Sequence, residues 1–169
     1  AHRLGLYLIK TEMEDLALKF LDYDTYKYIA HALNAKKVER EQYIARFIAP
    51  IEEKLKKEGF TFTIKGRPKS IHSIYHKMQA QRCDIDRIYD LFAIRIIIDT
   101  PLEREKSDCW QVYSLITDVF TPNPKRLRDW LSAPKENGYE SLHTTVLGPD
   151  NRWVEVQIRT ARMHELAEH

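Results

Sequence analysis

Two acidic residues and a cluster of basic ones carry the chemistry this sequence offers. Asp90 stands just before the apolar run Leu91-Phe92-Ala93-Ile94-Arg95-Ile96-Ile97-Ile98, so its side chain emerges at the end of a sheet rather than inside it. A carboxylate there suits Mg2+, or Mn2+ in its stead, a hard cation that takes one or two carboxylates and completes its shell with substrate phosphates and water. Glu155 is the second acid. Val154, Val156 and Ile158 alternate with Glu155, Gln157 and Arg159, so one strand face is core and the other carries an acid, an amide and a cation. Any antiparallel strand with one wet face gives the same pattern. Phosphoryl transfer gives the pair a purpose, because it needs a metal-holding carboxylate and a group that orients or deprotonates the attacking hydroxyl.

The basic residues gather where a strand hands over to a helix, at Gly66-Arg67-Pro68-Lys69-Ser70. Gly66 permits close approach of backbone to a phosphate, and Pro68 suits a first helical turn. Beyond them Ile71, Ile74, Tyr75 and Met78 form a core-facing stripe, while Lys69, Ser73 and Lys77 recur every four residues on another face. The helix dipole contributes only about 0.3–1 kcal/mol toward an anion, so the cations must supply most of the hold on a polyphosphate. A solvated basic face is the alternative reading of the same residues. A third segment runs from Arg126-Leu127-Arg128-Asp129-Trp130 through Lys135-Glu136-Asn137-Gly138-Tyr139 to His143. Tyr139 is placed to stack on a base, worth roughly 1–3 kcal/mol, with Lys135 and His143 near phosphates or ribose hydroxyls. The bland alternative makes Tyr139 a hairpin aromatic and His143 a satisfied strand residue.

These residues need elements to hold them. At 169 residues, 43% of them hydrophobic, the chain suits one compact domain, and its net charge of +2 excludes a global cationic field. Leu6, Ile9, Met13, Leu16, Ala17 and Phe20 mark a helix, as do Tyr43, Phe47, Ile51 and Leu55, with Pro50 a candidate kink. Gly59 ends that helix, and Phe60-Thr61-Phe62-Thr63-Ile64 begins a strand. There follow a helix over 69–81, the strand at 91–98, and a helix striped by Trp110, Tyr113, Ile116 and Phe120. Two last strands, 142–147 and 152–159, are joined at Gly148-Pro149-Asp150-Asn151 as a hairpin. The expected fold is α+β (mixed α/β), a mixed sheet flanked by helices behind an N-terminal helical lead-in. Cys83 and Cys109 lack paired or metal-ligand spacing and read as free thiols. No apolar run reaches the length of a membrane span and no signal peptide is recognisable, so the expected location is the cytoplasm. A first residue other than Met and a last one inside a helical pattern suggest a piece of a longer protein. Walker loops, dinucleotide fingerprints, zinc patterns and nucleophile elbows are absent.

Taken in order, Gly66-Arg67-Pro68-Lys69 through Ser73-Ile74-Tyr75, Tyr89-Asp90-Leu91 with Ala93-Ile94-Arg95, Asn137-Gly138-Tyr139 through His143-Thr144-Thr145, and Glu155-Val156-Gln157-Ile158-Arg159-Thr160 closely resemble the synthetase domain of RelA/SpoT proteins. The resemblance implies a nucleotidyltransferase-like domain over 59–169, with 1–58 leading in from a preceding hydrolase domain; the opening Ala1-His2-Arg3-Leu4-Gly5 is similar to that junction. It implies a reaction in which the 3′-hydroxyl of GDP or GTP attacks the β-phosphorus of ATP and AMP leaves. Asp90 would then ligate Mg2+. Glu155 would activate the hydroxyl and assist with the metal. Arg67 and Arg95 would sandwich adenine, a use to which planar guanidinium is suited. Lys69, Ser73 and Lys77 would hold ATP phosphates, and Tyr139 would stack on guanine with Lys135, Asn137, His143 and Gln157 nearby. Arg126-Leu127-Arg128-Asp129 sides with the long bifunctional members, which usually read Arg-x-Lys-Asp, and Glu140 stands where Gln is usual. Ribosome contact and regulation would come through parts of a longer protein, and no direct nucleic-acid binding is expected of this domain. Two competitors remain: a silent regulatory domain that binds guanine nucleotide, and a pyrophosphotransferase acting on another acceptor such as an RNA end. Strict alternation puts Arg95 on the opposite face from Asp90 unless Asp90 precedes the strand, which is the arrangement expected.

Overall fold

Six of the eight residues of the strand Phe92–Asp99 (β2) are apolar and buried, so both of its faces need cover, which makes it an interior strand of the sheet. The computed structural model describes residues 7–88 and 90–168. Leu6, the opening Ala1 to Gly5, Tyr89 and His169 of the motifs above lie outside them. Strand Thr61–Pro68 (β1) flanks β2 antiparallel on one side, and Trp153–Thr160 (β6) flanks it parallel on the other. Leu142–Leu147 (β5) continues the sheet antiparallel to β6, with the two-residue strands Thr121–Pro122 (β3) and Arg128–Asp129 (β4) both paired to β5. The fold is a mixed α/β sheet of six strands flanked by helices, as the sequence pattern implies. Residues 142–147 and the strand after them form the expected hairpin, closed by Gly148 N–H donating to the Arg152 carbonyl at 2.8 Å.

The main core lies on one face of that sheet. Helix Lys37–Lys57 (α3) contributes Tyr43, Phe47, Ile51 and Leu55, and helix Glu105–Val119 (α5) contributes Cys109, Val112 and Ile116, against Ile94, Ile96, Ile98, Val156 and Ile158. The deepest α5 residues are therefore 109, 112 and 116, with Trp110, Tyr113 and Phe120 only partly buried beside them. α3 runs unbroken through Pro50, its four buried residues at i, i+4 spacing outweighing a helix-interior proline that costs roughly 3 kcal/mol. It ends in a Schellman motif: Gly59 takes φ 80°, its N–H donates to the Lys56 carbonyl at 3.0 Å, and the Phe60 N–H donates to the Leu55 carbonyl at 3.0 Å.

A second, smaller core supports the site. Helix Tyr23–Ala35 (α2) buries Ile29 against Ile74 of helix Ile71–Gln81 (α4), together with Ile85, Ile88 and Leu91. Ile71, Tyr75 and Met78 pack around this cluster as the stripe predicts. Helix Tyr7–Leu21 (α1) forms where expected, but its apolar stripe is not a buried face: Ile9, Met13, Leu16 and Phe20 are 49%, 61%, 51% and 85% exposed. The inward side of α1 is Thr11, Asp15 and Leu18, and Asp15 Oδ1 accepts the His72 N–H at 2.9 Å. A polar tie to α4 thus fixes the rotation of α1, which hydrophobic periodicity cannot reveal. Helix Ala161–Glu168 (α6) follows β6 directly and lies against β2 and β6.

Candidate active site

The uncovered face of the sheet assembles the polar residues by register. β6 sets Glu155 beside Ala93 and Gln157 beside Arg95, while β5 sets His143 opposite Gln157 and β1 sets Arg67 opposite Ala93. A cavity of about 920 Å3 opens over this face, walled by the start of α4, the turn at 135–140, α6 and the inward side of α1. Arg67, Lys69, Ser73, Lys77, Arg95, Lys135, Asn137, Tyr139, His143, Glu155 and Gln157 all line it. Asp90 does not line it directly; it lies ahead of β2, as the alternation argument requires, and joins through two lysines.

Lys69 is the centre of the acidic end. Its Nζ donates to Asp90 Oδ2 at 2.8 Å and to Glu155 Oε2 at 3.2 Å, and Lys77 Nζ also donates to Asp90 Oδ2. Burial works against the Lys69 ammonium, but Glu155 and Asp90 outweigh it and raise its pKa. Burial lowers that of Lys77, Asp90 opposes, and Lys69 adds to the lowering. For Glu155 burial favours the acid form, yet Lys69 and the Gln157 amide hold it below the usual carboxylate range. Ser70 caps α4, accepting the Ser73 N–H at 3.2 Å and donating to Ser73 Oγ at 2.7 Å. Pro68 ends β1 instead of opening α4, because Ser70 holds the cap position. Gly66 is not an approach point for a phosphate either: a Cβ there would meet Ile44 Cδ1 at 2.6 Å, so its smallness admits α3.

These two carboxylates fit a divalent cation. Asp90 Oδ1 is buried and has no hydrogen-bond partner among the described residues, and a single ammonium already bridges Asp90 and Glu155. No group of three or more His, Cys, Asp or Glu forms a metal cage among the described residues. Mg2+ needs none when phosphates and water supply its remaining ligands.

The other end is aromatic and cationic. The Tyr139 hydroxyl lies 2.8 Å from His143 Nε2, and Trp130 meets both rings edge-on, with centroids 5.8 and 4.8 Å away. Asp129 Oδ1 accepts from the N–H groups of Leu131 and Ser132 at 3.0 and 2.9 Å, fixing the turn that carries Trp130. Lys135 Nζ sits 3.9 Å over the Trp130 ring, and Tyr139 N–H donates to Asn137 Oδ1 at 3.1 Å. Burial, reinforced by Arg159, Lys135 and Arg95 and opposed by Glu155, pulls His143 down to about 4, so it is neutral at pH 7. Glu140 lines the cavity, but its carboxylate accepts from Arg162 Nη2 at 2.8 Å.

Three contributors do not stand out in the sequence. Arg159, only 2% exposed, donates to both Tyr139 and Gln157. Trp130 adds a second aromatic wall. Glu168 Oε1 accepts from Arg95 Nη1 at 2.9 Å and Arg67 Nη1 at 3.4 Å, drawing onto one oxygen the guanidinium groups that the resemblance places about an adenine. The alternation of β6 does put Arg159 on the wet face, so that much of the signal was present.

Residues 66–169 match a family model described as the region found in RelA/SpoT proteins. The chain is 38% identical over 168 residues to a GTP pyrophosphokinase of Photobacterium angustum, covering 99% of this chain and 22% of that protein. It is 41% identical over 170 residues to a probable guanosine-3′,5′-bis(diphosphate) 3′-pyrophosphohydrolase of Synechocystis, covering 100% of this chain and 22% of that one. The chain thus spans about a fifth of the length of these relatives. Among solved structures, small alarmone synthetase 2 of Bacillus subtilis superposes with a TM-score of 0.52 at 25% identity, over 82% of this chain and 71% of that one. Small alarmone synthetase 1 of the same organism, bound to its product pppGpp, shares the fold with a TM-score of 0.54 at 22% identity, over 82% and 76%.

Proposed function

We propose, from the premise that this chain belongs to the RelA/SpoT family, that its cavity transfers the pyrophosphoryl group of ATP to the 3′-hydroxyl of GDP or GTP. The observation that carries the reading is the pairing of Asp90 and Glu155 across the Lys69 ammonium, which with Glu155 lines the same cavity as the Tyr139–Trp130–His143 wall. A cation-binding carboxylate pair and a base-stacking surface are what joining two nucleotides requires.

Asp90 and Glu155 would hold Mg2+, which when bound neutralises phosphate charge and supplies electrophilic assistance at phosphorus. Lys69, Lys77 and Ser73 would hold the ATP phosphates, the two lysines turning from the carboxylates to the polyphosphate. Arg67 and Arg95 would release Glu168 to face the adenine. Tyr139 would stack on guanine, with Gln157, Asn137, His143 and Lys135 around the acceptor. Neutral His143 offers a hydrogen bond without adding charge. Glu155, kept ionised, would take the proton of the 3′-hydroxyl as its oxygen bonds to the β-phosphorus; the bond from that phosphorus to the oxygen bridging it to the α-phosphate breaks, and AMP leaves with the electron pair. The division into a lead-in of 1–58 and a synthetase domain of 59–169, a cytoplasmic location, and ribosome contact through other parts of a longer protein belong to the same proposal.

The test is separation of products after the chain meets labelled ATP, Mg2+ and GDP or GTP, beside Asp90→Asn and Glu155→Gln. A guanosine tetra- or pentaphosphate that falls about 10^2–10^4-fold in Glu155→Gln, and is lost in Asp90→Asn, supports the reading. Product undiminished in Glu155→Gln overturns the mechanism, and nucleotide binding without product indicates a silent site.

A further inference from the structure

Arg159 is a buried cation, 2% exposed, with no carboxylate paired to it among the described residues. Burial, joined by Arg67, depresses its pKa, with Tyr139 and Glu168 only partly offsetting it. A guanidinium left in that position must be held by other acceptors. Its Nη2 has two hydrogens and two acceptors: the Tyr139 hydroxyl oxygen at 3.1 Å and Gln157 Oε1 at 2.9 Å. Both bonds have directional consequences. Arginine only donates, so the Tyr139 oxygen accepts from it, and the same hydroxyl lies 2.8 Å from His143 Nε2, tying the ring to β5 as well. Gln157 Oε1 is likewise committed, with Arg95 Nη2 a longer second donor at 3.4 Å, so the Gln157 amide nitrogen faces Glu155 Oε1 at 3.0 Å.

We infer that Arg159 is a positioning residue that binds the acceptor-stacking tyrosine and the base carboxylate into one hydrogen-bonded unit, so that seating the acceptor's ring on Tyr139 and orienting Glu155 become coupled events. The inference rests on the proposed function for the roles of Tyr139 and Glu155, while the linkage itself rests on geometry. Arg159 acts through Tyr139 on one side and Gln157 on the other. Its guanidinium also lies 5.5 Å from the Tyr139 ring centroid, which restrains the ring as well as its hydroxyl.

A double-mutant cycle tests it in the 169-residue chain. Arg159→Met and Tyr139→Phe, which keeps the stacking ring and removes only the hydroxyl, are compared singly and together. The measured quantities are GDP affinity by Trp fluorescence, ATP affinity, and kcat and KM for the acceptor. Arg159→Met is expected to weaken GDP binding about ten- to hundredfold, in the range for a hydrogen bond from a charged donor, with ATP binding within about twofold of wild type. The double variant is expected to be no worse than Arg159→Met, because the two changes break the same link. In turnover, Arg159→Met lowers kcat as well as raising the acceptor KM, whereas Tyr139→Phe chiefly raises KM. Losses that multiply in the double variant, or equal losses for ATP and GDP, would overturn the coupling and leave Arg159 as scaffold. Should Arg159→Met melt below the assay temperature, Arg159→Lys, which keeps the charge without the fork, carries the same cycle. Wild-type chain that binds GDP but makes no product rejects the proposed function alone, since the binding arm of the cycle still decides the linkage.

Discussion

His143 and Lys69 carry the site's electrostatics in two different ways. His143 titrates near 4 in the folded chain against about 6.5 in an unfolded one, so the unfolded state takes up its proton first as pH falls. Its contribution to stability is complete above about pH 6.5 and is lost between there and about pH 4, by at most roughly 3 kcal/mol. Denaturant unfolding at several pH values should show His143→Gln with a flatter slope across that window than wild type; parallel slopes would mean that other groups set the acid sensitivity. Lys69 makes a complementary prediction. Its ammonium already occupies the space between Asp90 and Glu155, so a divalent ion must compete with it until phosphates draw it away. Lys69→Met should raise Mn2+ affinity without nucleotide about tenfold or more by spin-resonance titration, and weaken ATP binding. Unchanged Mn2+ affinity would mean that Lys69 does not guard the carboxylates. Asp90, Glu155 and Lys69 were legible in sequence because an acid ahead of an apolar strand, an acid alternating within one and a lysine at a helix start are local patterns. Glu168 was not, because its meeting with Arg67 and Arg95 spans 101 and 73 residues of chain.

At the scale of elements, the hand-over from β1 to α4 shows how one residue type can serve two physical purposes. Local pattern identifies the strand, the helix and Gly59 as the end of α3, since left-handed backbone favours glycine. Gly66 reads locally as a loop glycine that admits a phosphate, yet it lies inside β1 and its missing side chain is filled by Ile44 of α3. Long-range packing is the reason, and no short window of sequence contains it. Gly66→Ala should therefore destabilise the fold by about 1–3 kcal/mol through overpacking. Removing the one atom that conflicts most, Ile44 Cδ1, should relieve it: in an Ile44→Val background the same Gly66→Ala change should cost at least 1 kcal/mol less. Additive losses in denaturant unfolding would mean that the close approach is not what selects glycine there. The 130–143 turn follows the same logic, because Asp129 caps it locally while Trp130 gains its role only when β4 pairs with β5.

The whole molecule has two cores, and the cavity lies on their seam. The sheet, α3 and α5 form one and carry Glu155, Gln157, Tyr139 and His143 on their outer side; α2, α4 and Leu91 form the other, whose helix α4 carries Ser73 and Lys77. The α1 stripe belongs to neither core, and its phase was unreadable because Asp15 turns the helix by a hydrogen bond to His72 rather than by apolar contact. This division predicts separable effects. Ile29 is fully buried in the smaller core, 0% exposed, and truncation to Ala should cost about 2–5 kcal/mol where that core cannot collapse. The loosening should reach α4 and with it Lys77, Ser73 and the Asp90 cluster, weakening ATP binding severalfold. The Tyr139 wall, carried by the segment ahead of β5 and by His143 on β5 and held by Arg159 of β6, should keep its GDP affinity within about twofold of wild type. Isothermal titration of Ile29→Ala with each nucleotide decides the matter. Parallel losses of both affinities would show that the two cores move as one, and that the donor and acceptor ends of the cavity share a single support.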